Sequence, residues 1–350
     1  MTRATLWMSL SLAFMTTACS DKEDFSSFEE VVIDDPIEIG LSYRSASLRN
    51  QEVVFQVFDD QSQDITQNSL FYVDGVQLTA NTFSSAAEGV FSVYAEYEVN
   101  GTLSTTDTEQ FSVIIPTKNV LVEDYTGTWC GYCPAVSAAV DEVQALTDHI
   151  SLVALHNGDD LSLSIEPQIR EGLGVPSGSP RARIDRTVVW GAGVPPVFPP
   201  EDVMNLAGIP SSIAIAVAAE MSGGDLQISI DVACEDALVD RKLVVYITED
   251  GLLRDQTNYY NEDATSPYFD QGNPMIDFEQ KHVLRATLTD AVGDAIPTTD
   301  ALTDYTVDFI YTVPSSMVVA ELGVVVMVVD SDNTALNTQY VHVGETVSYN

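Results

Sequence analysis

Two cysteines with two residues between them, Cys130 and Cys133, stand where a short apolar strand gives way to a stretch of helical spacing. Val120 to Val122 reads as the strand. Val136, Ala139, Val140, Val143 and Leu146 fall on one face of a helix, and a second apolar run, Ile150 to Leu155, follows within a few residues. Strand, helix, strand in this order implies parallel pairing through a right-handed crossover. A helix amino terminus presents unpaired backbone amides and a partial positive charge, which together stabilise a thiolate on the first cysteine. Cys130 is therefore the expected nucleophile. Cys133, one turn on and partly covered, is the expected resolving thiol, which attacks a mixed disulfide and releases the partner.

The texture on either side is different. Val53 to Phe58, Leu70 to Val73, Val90 to Glu98 and Gln110 to Ile115 alternate apolar with polar residues, between the turn pairs Asp74-Gly75, Glu88-Gly89 and Asn100-Gly101. Such alternation with close turns is the pattern of a small antiparallel sandwich. After Pro210 it returns in Ile213 to Ala219, Leu226 to Val232, Leu243 to Thr248, His282 to Leu288, Tyr305 to Tyr311 and Val318 to Val329, which reads as a second, larger sandwich. Between the two, Ile165 to Gly172 and Pro199 to Leu206 read as short helices, and Ala182 to Ile184 with Thr187 to Trp190 as a hairpin. Gln256 to Asp277, aromatic and rich in turn residues, reads as a long loop. The expected organisation is a leader over 1–18, an acidic tether over 19–35, an Ig-like sandwich over 36–116, a central α/β domain over 117–210 and a β-sandwich over 211–350.

The amino terminus has the layout of a secretory signal: Arg3, an apolar stretch from Leu6 to Met15, then Thr16-Thr17-Ala18-Cys19. Small residues before a cysteine, followed by Ser20-Asp21-Lys22-Glu23-Asp24, resemble a bacterial lipobox. That resemblance makes Cys19 a lipidated membrane anchor, and the acidic run resembles a surface-export signal of Bacteroidetes lipoproteins. An ordinary cleaved signal with an incidental cysteine is the alternative. The chain carries 14 Lys and Arg against 53 Asp and Glu, a formal charge of −39. No basic footprint exists, which argues against nucleic acid as a partner.

The run Val120-Leu121-Val122-Glu123-Asp124-Tyr125-Thr126-Gly127-Thr128-Trp129-Cys130-Gly131-Tyr132-Cys133-Pro134 resembles the active-site strand and turn of thioredoxins. What the resemblance implies is a thioredoxin-like α/β central domain between Ig-like all-β modules in a multidomain chain. It implies that Asp124 is a buried carboxylate relaying a proton to the resolving thiol, its pKa raised by burial. A solvated acid in a very acidic chain is the alternative on composition. It further implies a cis proline at Ser179-Pro180, with Trp129, Gly131, Tyr132, Ser179 and Pro180 meeting the substrate. Taken whole, the chain resembles the 28-kilodalton outer membrane protein family of Bacteroidetes lipoproteins, with Val283-Leu284-Arg285 after His282 as a further family stretch. That implies an outer membrane or cell-envelope location, periplasmic or surface-exposed.

Other chemistry is thin. Cys234 is the one remaining thiol beyond Cys19 and the pair, and it reads as a small buried hydrophobe. His149, His156, His282 and His342 are scattered, so no metal site and no cofactor are expected. His156 either lines the dithiol cleft or is a loop histidine. Asp330-Ser331-Asp332-Asn333 and Asp59-Asp60 read as solvated loops, not calcium sites. Two functions stay open: a thiol-disulfide oxidoreductase acting on thiols or disulfides of exported proteins, or a scaffold with a static disulfide whose β modules bind a surface partner or glycan.

Overall fold

The computed structural model describes residues 40–99 and 101–349. The leader, Cys19, the acidic tether and Asn100 of the expected hairpin lie outside the described residues.

The amino-terminal strands follow their alternation. Along Gly89–Val99, Val93 and Ala95 turn inward, where they meet Phe71, Val73, Phe111 and Val113 around the buried Phe55. The six-stranded sheet runs Ala46–Leu48, Glu109–Ile114, Gly89–Val99, Ser69–Val73, Val76–Gln77, with Thr102–Thr105 added to the long strand. Asp74 and Gly75 both take positive φ, 48° and 77°. This is the backbone twist a two-residue hairpin needs to pair Val73 with Val76.

The rest of the chain is organised by one nine-stranded mixed sheet. Its order is Val188–Trp190, Arg181–Ile184, Val120–Thr126, Ile150–His156, Val283–Thr287, Lys242–Glu249, Leu322–Val329, Ala335–His342, with Asp294–Ala295 at the edge of Lys242–Glu249. Val120–Thr126 and Ile150–His156 pair in parallel, in register from Val120 opposite Ile150 to Thr126 opposite His156. Helix α1 (Pro134–Gln144) crosses between them and buries Val136, Ala139, Val140 and Val143 against Val120, Val122 and Leu152. Pro134 opens it at a position where a missing N–H is harmless. Helix α2 (Glu166–Gly172) sends Ile169 to the opposite face, beside Leu121 and Tyr125. Helix α3 (Pro200–Met204) returns to the α1 side through Val203. A four-stranded sheet, Tyr305–Thr312, Asp225–Cys234, Ile213–Ser222, Glu345–Val347, packs its apolar face on Leu243, Val245, Ile247, Val324 and Val326. The last long strand reaches back to the start of the dithiol strand: Asn119 N–H donates to Asn337 Oδ1 at 2.8 Å, and Asn119 Nδ2 donates to the Thr338 carbonyl at 3.0 Å.

The expected fold class is corrected by this architecture. Among the described residues strand makes up 46 % and helix 9 %, in several sheets, and no α/β thioredoxin core stands between two Ig-like sandwiches. The reason lies in pairing across long sequence distance. Ile150–His156 does not end a sheet of its own; it passes on to Val283–Thr287 and through it to three further strands. Helices of 11, 7 and 5 residues are too short to cover so wide a sheet. Its second layer is largely another sheet.

Candidate functional site

The strand Val120–Thr126 is buried at all seven positions and ends in the loop that carries the cysteines. Cys130 and Cys133 form a disulfide with Cα atoms 5.4 Å apart. Cys133 is the N-cap residue of α1, and Cys130 sits one turn earlier, in the loop. The first helical amides are already engaged: Ala135 N–H donates to the Tyr132 carbonyl and Val136 N–H to that of Cys133. Both cysteines are covered, at 3 % and 2 % exposure, and Trp129 beside them is open at 46 %.

The cover is the segment that read as a long loop. It connects the strands Leu252–Gln256 and Met275–Gln280, and its first residues lie across the dithiol as a strap. Thr257 N–H donates to the Thr128 carbonyl at 2.8 Å and Tyr259 N–H to the Gly131 carbonyl at 2.9 Å. Gln256 Nε2 donates to the Cys130 carbonyl at 3.0 Å. The Tyr259 ring rests on Gly131 so closely that a Cβ there would stand 2.4 Å from it, which accounts for glycine at that position. Tyr132 is held edge-on by Tyr259 and Tyr260, with ring centroids 5.1 and 5.8 Å away.

A second anchor holds the other side of the loop. Thr128 N–H donates to Asp159 Oδ2 at 2.8 Å, and the same oxygen lies 2.8 Å from Nδ1 of the buried His156. Burial lifts the Asp159 carboxyl, but the hydrogen bond and charge of His156 and the Thr128 amide outweigh it and hold the pKa down at about 2. Trp129 Nε1 donates to the Asn157 carbonyl at 2.6 Å. His156 therefore braces the dithiol loop through Asp159. The turn Asn157-Gly158 after an apolar strand was the sequence signal for it.

Asp124 is 8 % exposed and faces α1. Its Oδ1 has no hydrogen-bond partner. Burial pushes its pKa up to about 8, against a small opposing pull from the Thr126 hydroxyl. Its neighbour Glu123 points to the other face and meets the fully buried Arg186, Nε to Oε1 at 3.4 Å, while the Tyr125 hydroxyl donates to Oε2 at 3.0 Å. Burial raises the Glu123 carboxyl against the pull of that guanidinium.

The Ser179–Pro180 bond is cis. Arg181 pairs with Tyr125, so Pro180 lies toward the end of the strand from which the dithiol loop leaves. Cys234 is buried away from this site, in the core under the four-stranded sheet. Among the described residues no cluster of three or more His, Cys, Asp or Glu is arranged to hold a metal. Asp330 bonds to Arg241, and Asp332 Oδ1 accepts from Thr334 N–H. No helix among the described residues is long and apolar enough to cross a membrane.

These features define a β-rich protein with a strapped Cys-X-X-Cys disulfide at one end of its central sheet. The family model described as outer membrane protein Omp28 matches residues 172–347, half of the chain, and the chain belongs to that family. Membership carries an outer membrane or cell-envelope location. The matched region contains the strap and Pro180 and begins after the dithiol. The structure of HBP35 of Porphyromonas gingivalis is similar in fold, at a TM-score of 0.52 and 16 % identity, covering 65 % of this chain and 76 % of that one. Surface layer protein SbsC, domains 4-9, reaches a TM-score of only 0.17 at 12 % identity, over 88 % of this chain and 50 % of that one, which is no likeness of fold. No curated protein matches the chain.

Proposed function

We propose that this envelope protein uses Cys130 and Cys133 as a reversible thiol-disulfide centre acting on thiols or disulfides of exported proteins. The carrying observation is Asp124: a carboxyl buried without a partner for one oxygen, with its pKa near neutrality, on the strand that leads into the disulfide. An unpaired buried polar group costs roughly 1–3 kcal/mol, and strongly perturbed acids in clefts gather at functional sites. In this reading the Cys130 thiolate attacks a partner disulfide, and Cys133 then displaces the partner, its proton passing to the fraction of Asp124 that is ionised, a fraction that grows as pH rises toward about 8. Trp129 is the open part of the surface that meets the partner chain, with Ser179 and Pro180 half-buried beside it; Gly131 and Tyr132 join it only when the strap lifts.

A specific observation favours a second reading, a static disulfide inside a binding scaffold. Both cysteines are buried, the Gln256–Tyr260 strap is hydrogen-bonded to the backbone of their loop, and Cys130 stands a turn before the helix. Redox titration of the purified full chain separates the two. A midpoint above about −300 mV supports cycling, and a value at or below it identifies a structural bridge and overturns the oxidoreductase reading.

A further inference from the structure

A cavity of about 390 Å³ lies between α1, the sheet and the strand Met275–Gln280. That volume is at the lower end of the range ligand sites occupy. Val140, Leu152, Tyr268, Met275 and Phe278 give it apolar walls, and Asp124, 8 % exposed, lines it with one carboxyl oxygen unpartnered and shielded from water. The charges around it are one-sided. Lys281 is engaged with Asp141 at 3.1 Å. His282 lies 3.3 Å from Asp250, and burial, helped by Lys281, pushes its pKa down, so it tends to stay neutral. Asp277 and Glu279, at the mouth, have no ion-pair partner among the described residues. No free cation remains in the lining to receive an anion.

We propose that this cavity binds a small organic cation with an apolar body, an aryl- or alkylammonium, whose charge pairs with Asp124. The apolar walls take the hydrocarbon, the Asp124 carboxylate pairs with the ammonium, and the mouth acids draw the cation in. Charge sets the direction of proton exchange. Asp124 is faced by Asp141 from α1, by Tyr268, and by Asp277, Glu279, Lys281 and His282 from the covering strand. With its carboxyl largely protonated below about pH 8, capture of a cation at pH 7 expels a proton to the buffer.

The site does not depend on the cysteines cycling, so the test uses the oxidised full chain, in which the disulfide is inert. 2-Phenylethylammonium is titrated by calorimetry, with neutral 2-phenylethanol and anionic 3-phenylpropanoate as parallel arms. The ammonium is expected to bind in the millimolar range or tighter, with both other arms weaker by about tenfold or more. Its heat should change between buffers of different ionisation enthalpy. Asp124→Asn, with folding checked by circular dichroism, should weaken it by about tenfold. Ala154→Leu, which fills the cavity and keeps the acid, should do the same. No binding of the ammonium, equal binding of the alcohol, or full affinity in both variants would overturn the proposal.

Discussion

Two strands of the same sheet are buried along their whole length and are built on opposite principles. Leu322–Val329 is Leu-Gly-Val-Val-Val-Met-Val-Val, apolar on both faces, with Leu322, Val324, Val326 and Val328 turned to one core and Val325, Met327 and Val329 to another. Val120–Thr126 has the same burial, yet places Glu123 on one face and Asp124 on the other. A buried strand of a sheet covered on both sides needs no polar group. The two acids are thus departures from what packing requires, and they differ from each other. Glu123 has a guanidinium at ion-pair distance and accepts from a phenol, though its Oε1 too lacks a hydrogen bond, whereas Asp124 has no charged partner at all. Their common strand sets a structural ion pair beside an uncompensated acid.

Breaking the matched member should have the largest effect. Glu123→Gln removes the carboxylate facing the buried Arg186 guanidinium and should lower unfolding stability by about 3–5 kcal/mol in urea titrations. A loss under about 1 kcal/mol would mean that solvent reaches the pair after all. The unmatched member should act in the opposite direction. The folded pKa of Asp124, about 8, lies above that of an unfolded aspartate, so the native state holds a proton the unfolded chain has released. Its contribution to stability therefore declines as pH rises from about 4 toward 8 and is level above that. By pH 9 that decline amounts to about 5 kcal/mol, and Asp124→Asn, whose amide keeps a burial cost of its own, should remove the slope and recover about half of it. Parallel stability profiles for variant and parent across that window would show the acid to be ordinary. The smallest effect concerns the cover. Tyr259→Ala frees the face of Gly131 and should raise the rate of disulfide reduction by dithiothreitol about tenfold, equivalent to roughly 1.4 kcal/mol of barrier. An unchanged rate would show that the strap does not control access.

What could be read in the sequence was what is local. The helical spacing at Val136, Ala139, Val140 and Val143, the apolar run from Ile150 and the hairpin at Ala182 to Trp190 all mark elements at or near those positions, because side-chain period is a property of neighbouring residues. Their assembly was not legible. Nothing near Ile150 states that its strand pairs onward with Val283, and so an α/β domain was expected where a wide mixed sheet forms. The same limit hid the strap. The Tyr259-Tyr260 pair looked like loop aromatics, because the glycine that makes room for Tyr259 lies at 131. Asp124 was undecided on composition in a chain with 53 acids; only its neighbours in space make it unusual.

The hydrogen bonds from Asn119 to Asn337 and Thr338 tie the head of the dithiol strand to the last long strand of the sheet. Synthesis proceeds from the amino end, so the middle of the chain emerges long before the residues that complete its sheet. Until Leu322–Val329 arrives, Lys242–Glu249 carries an open backbone edge of the kind that seeds aggregation. A chain cut short before Leu322 would keep that edge unpaired, so the last strands close the sheet as well as extend it.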